Sequence, residues 1–249
     1  MDCDLTRLLD EWRYDPEDNV RIINARDGRH VMQVRLPLGI EQYELDGRPD
    51  GLKPFGKDTM LEEYLTRLKT EIQEEMTDDA YSLDSEDCAL LQSEGVLFYF
   101  RYLLLFQLKD YQRVERDTEH NLSICELIDK YGIRDEDKNL MLQYYPYILR
   151  MNAVAKAMIS MENHVRGEAR IILEGTIDKI MNLKDIDSPA FRLERIRSIN
   201  YLKSVMEQIE DEPQDSGLSL RKELEKAVAD EDYERAAQIR DQINRTQGS

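Results

Sequence analysis

The sequence predicts a mainly α-helical protein: a stack of helical hairpins with a small β-meander near its N-terminus and a short helical hairpin at its C-terminus. Three observations lead to this. Glycine and proline are scarce, eleven and seven in 249 residues, against roughly 12% of average usage, which disfavours a turn-rich β-sandwich or a glycine-loop α/β enzyme. From residue 59 onward apolar residues recur at the spacing of one helix face. Between residues 14 and 57 the pattern differs: Gly28, Gly39, Gly47, Gly51 and Gly56 gather there with Pro37, Pro49 and Pro54, and apolar residues alternate. The length suits one large or two modest domains.

Each element has its own local cause. Asp4 is placed to cap a short helix whose Leu5, Leu8, Leu9 and Trp12 share a face. Residues 20–25 and 30–36 flank Asp27 and Gly28, a two-residue hairpin signal. Residues 42–45 before Asp46 and Gly47 supply a third strand, and three short strands need a helix over their apolar face. Thr59 and Glu62 have capping-box spacing, followed by Leu61, Tyr64, Leu65, Leu68 and Ile72 on one stripe.

An acidic loop at 77–87 leads to a helix that runs into the most apolar stretch, residues 96–108, interrupted by Arg101 and Gln107. That stretch is short of the ~20 residues that span a bilayer, so a fully buried helix is expected. Lys109 and Asp110 break it, and Tyr111, Val114, Thr118, Leu122, Cys125 and Ile128 mark a returning helix that ends at Tyr131 and Gly132. A helix from 135 to 145 meets Pro146, which breaks or kinks it. Residues 147–161 and 165–181 form a second antiparallel pair around Glu162, Asn163 and His164. Ser188 and Pro189 open a further helix with Ile196, Ile199, Leu202, Met206 and Ile209 on one face.

The two hairpins recur about 54 residues apart. The first resembles a degenerate tetratricopeptide repeat, with Lys109 and Val114 where that repeat packs glycine and alanine. A TPR-like stack and an irregular helix bundle both remain open.

Beyond Asp211, the run through Gly217 reads as a linker. Leu220, Leu224, Ala227 and Val228 then lie along one helix face, an acidic turn follows, and Tyr233, Ala236, Ala237, Arg240 and Ile243 repeat the stripe on a return helix that includes Ile239. So small a hairpin buries too little apolar area to stand alone. These residues closely resemble the UVR motif, found at the C-terminus of UvrB, inside UvrC, in Clp-type protease ATPases and in regulators of the McsA type. The resemblance implies a protein-interaction device that pairs with another UVR hairpin or docks a partner. Leu220, Leu224, Ala227, Val228, Tyr233, Ala236, Ala237, Ile239, Arg240 and Ile243 are the expected partner-binding residues. The chain lacks a G-x-x-x-x-G-K-[ST] loop and paired C-x-x-C motifs, which sets it apart from those relatives. The arrangement is similar to bacterial UVR-motif proteins, with boundaries at 1–57 for the N-terminal helix and β-element, 58–210 for the helical body, 211–217 for the linker and 218–249 for the hairpin.

Fifty-two acidic against thirty-four basic residues give a formal charge of −18. Phosphate recognition needs clustered cations, so direct contact with nucleic acid or an anionic membrane is not expected. A hydrophobic content of 41% is enough for a core. Three distant cysteines suggest neither a disulfide framework nor a zinc site, and the N-terminus has no visible secretory signal, so a cytoplasmic location is expected. His30, His120 and His164 lack metal-ligand spacing, and the acidic runs at 78–79 and 135–137 lack an EF-hand's glycine and closing glutamate. No catalytic residue, cofactor or metal is expected. Arg35, Tyr43, Arg48 and Asp50 are the residues of a recognition loop, set against ordinary turn chemistry, and an enzyme with its site in residues 14–57 is a third reading. The expected function is a non-catalytic adaptor that docks a protein partner, another UVR protein or itself. The alternative is an accessory factor in nucleotide excision repair, acting through a UvrB- or UvrC-like partner.

Overall fold

The computed structural model describes residues 4–211 together with Arg235, Ile239 and Arg240. Helix α1 (Thr6–Glu11) precedes strands β1 (Val20–Asn24), β2 (His30–Leu36) and β3 (Gly39–Glu44). The helices that follow are α2 (Met60–Glu75), α3 (Ser85–Gln107), α4 (Tyr111–Tyr131), α5 (Asp135–Leu142), α6 (Tyr145–Glu162), α7 (Arg166–Met181) and α8 (Pro189–Asp211). The protein is thus mainly α with a small antiparallel β-meander toward its N-terminus.

The sheet runs in the order β1-β2-β3, with Val20 opposite Val34 and Val31 opposite Glu44. Its first turn is longer than the two residues expected. Ala25 N donates to Arg29 O at 2.7 Å and Gly28 N to Ala25 O at 3.0 Å, so Arg26, Asp27 and Gly28 form a three-residue loop. Gly28 takes the left-handed position, φ +86°, which a side chain would strain. Pro37 and Leu38 make the second turn, so β3 begins before the predicted residue 42.

The predicted cover for the sheet is present. Val20, Met32 and Val34 pack with Tyr102 and Leu105 of α3 and Tyr111 of α4 in one core cluster. The opposite face of β2 is also closed: Arg21 donates to Gln33 Oε1, Gln33 to Gln42, and the Arg21 guanidinium stacks 3.8 Å from the Trp12 ring.

Helices α3 and α4 form one antiparallel hairpin and α6 and α7 a second, with α4 lying against α6 and α8 against both α6 and α7. The two hairpin turns are built alike. Lys109 (φ +60°) and His164 (φ +61°) are left-handed. The next amide in each case reaches back across the helix end, Asp110 N to Leu105 O at 2.9 Å and Val165 N to Ser160 O at 2.8 Å.

Three local expectations change. Helix α3 is long and apolar enough, by length and composition, to cross a membrane, and in this fold it is a packed helix that is not fully buried: Val96 is 46% and Phe100 48% exposed. It is covered by α4 and the N-terminal segment but keeps one open strip. On α2 the stripe is used through its first half, where Leu61 and Tyr64 are buried and Leu68 packs partly buried against the same core; Leu65 and Ile72 are exposed. Of the break or kink expected at Pro146, the structure has a break, and it falls earlier than predicted. Helix α5 ends at Leu142, and the proline sits in the first turn of α6, where its missing N–H costs nothing.

Candidate functional site

Three charged side chains of the α3/α4 hairpin hold the chain that links the sheet to α2. Arg101 and Asp117 are both fully buried and pair through two hydrogen bonds, and Arg101 Nη1 also donates to Glu44 O and Gly47 O at 2.9 and 2.8 Å. Arg116 donates to Leu45 O and to Asp46. Glu94, again fully buried, accepts from the amides of Met60 at 2.6 Å and Leu61 at 3.0 Å. These are two of the free N–H groups at the start of α2, where an anion is favoured. Glu94 also meets Arg48 at 3.3 Å and His120 Nε2 at 3.1 Å, while the His120 ring stacks on Phe98 at 3.7 Å. Burial pushes the Glu94 carboxyl upward, but the His120 hydrogen bond and the two amides outweigh it and hold the carboxyl below the ordinary range.

The residues suggested for a recognition loop are engaged inside this arrangement. Arg48 bonds both Asp50 and Glu94. Arg35 is buried and donates to the carbonyls of Trp12, Leu36 and Gly39. The Tyr43 hydroxyl donates to Glu41 at 2.6 Å. All four are thus held by hydrogen bonds to groups of the protein itself.

The histidines are dispersed: His30 begins β2, His120 binds Glu94 and His164 occupies a hairpin turn. Cys88 and Cys125 are buried free thiols, and burial pushes Cys88 up to about 11 and Cys125 higher still. The acidic runs serve local contacts, with Asp78 accepting from Lys130 and Tyr131 and Asp137 from Ser85. Among the described residues no group of three or more metal-ligating side chains is gathered.

Ile239 and Arg240 are the two expected partner-binding residues that fall among the described ones. Both are helical; Ile239 is 5% exposed, while Arg240 faces solvent, as does Arg235. An apolar residue turned inward beside a cation turned outward is what an amphipathic helix requires. Leu220, Leu224, Ala227, Val228, Tyr233, Ala236, Ala237 and Ile243 lie outside the described residues.

Residues 219–248 match the UvrB/uvrC motif. The match takes in all ten residues assigned to partner contact. Neither the curated proteins nor the solved structures give a match to the chain. The UVR motif therefore describes the C-terminal segment, and the helical body has to be read from its own geometry.

Sequence reasoning missed the Arg101–Asp117 pair, treating Arg101 as an interruption in an apolar run. A usable signal was present. The two residues lie equally far before and after Lys109, so an antiparallel hairpin turning there sets them face to face. Glu94 and its amide partners join segments too distant in sequence for any such symmetry.

Proposed function

We propose that this protein is an adaptor without catalytic activity of its own, and that its UVR segment is the element that docks a protein partner or a second copy of the chain. The observation that carries the reading is the motif match at 219–248; the motif is a protein-interaction motif in UvrB and UvrC. Ile239 supports it, since one inward apolar residue on a helical segment is the pattern of a packing seam. The acidity of the chain supports a partner other than nucleic acid, because a chain with eighteen excess negative charges repels phosphate. A cytoplasmic setting agrees with buried free thiols.

The test is removal of residues 218–249 from the otherwise complete protein, followed by co-purification from the native host and by light scattering. Loss of specific partners or of self-association, with an unchanged circular dichroism spectrum for the body, is the expected result. Identical partners and mass with and without the segment would overturn the reading.

The motif's presence in UvrB and UvrC favours one second reading, an accessory role in excision repair through a UvrB- or UvrC-like partner. Under it, purified UvrB or UvrC retains the full-length protein in a pull-down and the shortened form is not retained. Appreciable duplex binding by the isolated protein at ~150 mM salt would contradict both readings, which assign DNA contact to a partner.

A further inference from the structure

Where α3, α5, α6 and α8 converge, a cavity of about 380 Å³ opens between aromatic rings: Tyr99 and Phe100 from α3, Tyr144 just before α6, and Tyr147 within it. Two polar side chains in its wall hold acceptors without hydrogen-bond donors, Asn121 Oδ1 and Glu194 Oε2. Asn121 is 2% exposed, and its Nδ2 donates to Gly95 O at 2.9 Å, which fixes the amide orientation and leaves Oδ1 as the unmet group. Glu194 has cations nearby but none in hydrogen-bond reach: Arg150 stands 3.9 Å from Oε2 and Arg197 3.6 Å from Oε1. Arg150 is spread over the faces of Tyr147 and Tyr201, at 4.7 and 5.3 Å from their centroids.

Buried acceptors normally find donors, so two lacking them in the wall of one cavity call for explanation. The floor is open because residue 95 is glycine. A Cβ there would stand 3.5 Å from Asn121 Oδ1 and 3.1 Å from Met141 Cε. The lining thus offers π-faces, a neutral acceptor and a carboxylate. A group that answers all three carries positive charge and N–H donors together, which describes an ammonium or a guanidinium. The rim is apolar and half exposed at Val96, Phe100 and Tyr144. That surface exceeds what a small amine would cover and suits apolar side chains flanking the cation.

We propose that this cavity receives an arginine or lysine side chain from a partner polypeptide, with neighbouring apolar residues of that partner lying on Val96, Phe100 and Tyr144. The site is separate from the UVR segment and stands or falls independently of it.

The test pans a phage library of random heptapeptides against the immobilised full-length protein, then measures the selected peptides by fluorescence anisotropy. The expected result is a basic residue at one position between apolar ones. Affinity then falls about tenfold or more when that residue is replaced by norleucine, and likewise in the protein variants Glu194→Gln and Gly95→Ala. Gly95→Ala closes the floor while favouring the helix, so a fold check by circular dichroism separates loss of the site from loss of structure. Glu194→Gln keeps the shape of the side chain and serves as the second variant. The proposal is overturned if no peptide is enriched, if the enriched peptides lack a basic residue, or if neither variant weakens them. Competition by free arginine amide at the affinity of the whole peptide would also overturn it, by showing that the ligand is a small amine.

Discussion

Arg101 and Asp117 meet in a two-pronged ion pair with neither side chain reaching water, Nε to Oδ2 at 2.6 Å and Nη2 to Oδ1 at 2.8 Å. A buried pair of this kind contributes little over an apolar replacement, yet removing one partner strands the other charge. Asp117→Ala is expected to cost about 3–5 kcal/mol in urea unfolding. A loss for Asp117→Ala of under about 1 kcal/mol, the range of exposed pairs, would contradict the burial.

The rotation of α7 is tested by two neighbouring aliphatic residues. Leu173 is fully buried against α6 and α8, whereas Ile171 is 71% exposed. Leu173→Ala should destabilise by about 2–5 kcal/mol. Ile171→Ala should fall within about 0.5 kcal/mol of the parent in the same denaturation experiment. Similar costs at both sites would mean that the helix is turned differently.

Lys109 and His164 hold left-handed backbone without being glycine. Lys109→Gly and His164→Gly are therefore expected to raise stability by about 0.5–1 kcal/mol each, since relief of the Cβ clash exceeds the added chain entropy. His164→Val should lower the melting temperature, because a β-branched side chain tolerates this conformation least. Destabilisation by both glycine variants would remove the strain argument.

Glu94 predicts a pH dependence with a definite sign. Its carboxyl is held below the ordinary range in the folded protein. The associated stability is present above the unfolded value, ~4.3, and is lost as pH falls through the folded one. Unfolding free energy measured from pH 7 to pH 3 should thus decline on the acid side, and Glu94→Gln should flatten that decline while costing about 1–3 kcal/mol at pH 7. An acid limb of unchanged slope in Glu94→Gln would place the titration elsewhere.

What could be read in the sequence was local. Thr59 accepts from the Glu62 amide as its capping spacing predicts, and the Glu62 carboxylate accepts in return from the amide one residue earlier, Asp58 N. The turns at Lys109 and His164 fall at the predicted breaks because short polar segments between apolar stripes leave few other places to reverse. The open side of α3 was not legible, since Val96 and Phe100 look like core residues until the positions of α5 and α8 are known. The cavity was hidden for the same reason: Asn121 and Glu194 are ordinary helical residues, and only tertiary packing shows that their acceptors lack donors. The C-terminal segment was the reverse case, recognisable from residue order alone because its stripe and turn are contiguous in the chain.

The clamp on the segment between β3 and α2 grips backbone far more than side chains. Arg101 takes the carbonyls of Glu44 and Gly47, Arg116 the carbonyl of Leu45, and Glu94 the amides of Met60 and Leu61. Peptide groups are common to every amino acid. The path of this segment is therefore insured against most substitutions within it, and sensitive to the three charged residues of the hairpin, whose side-chain contacts to it are confined to Asp46 and Arg48. Mutational drift is free to repaint the outward face of the loop while its track across the hairpin stays the same.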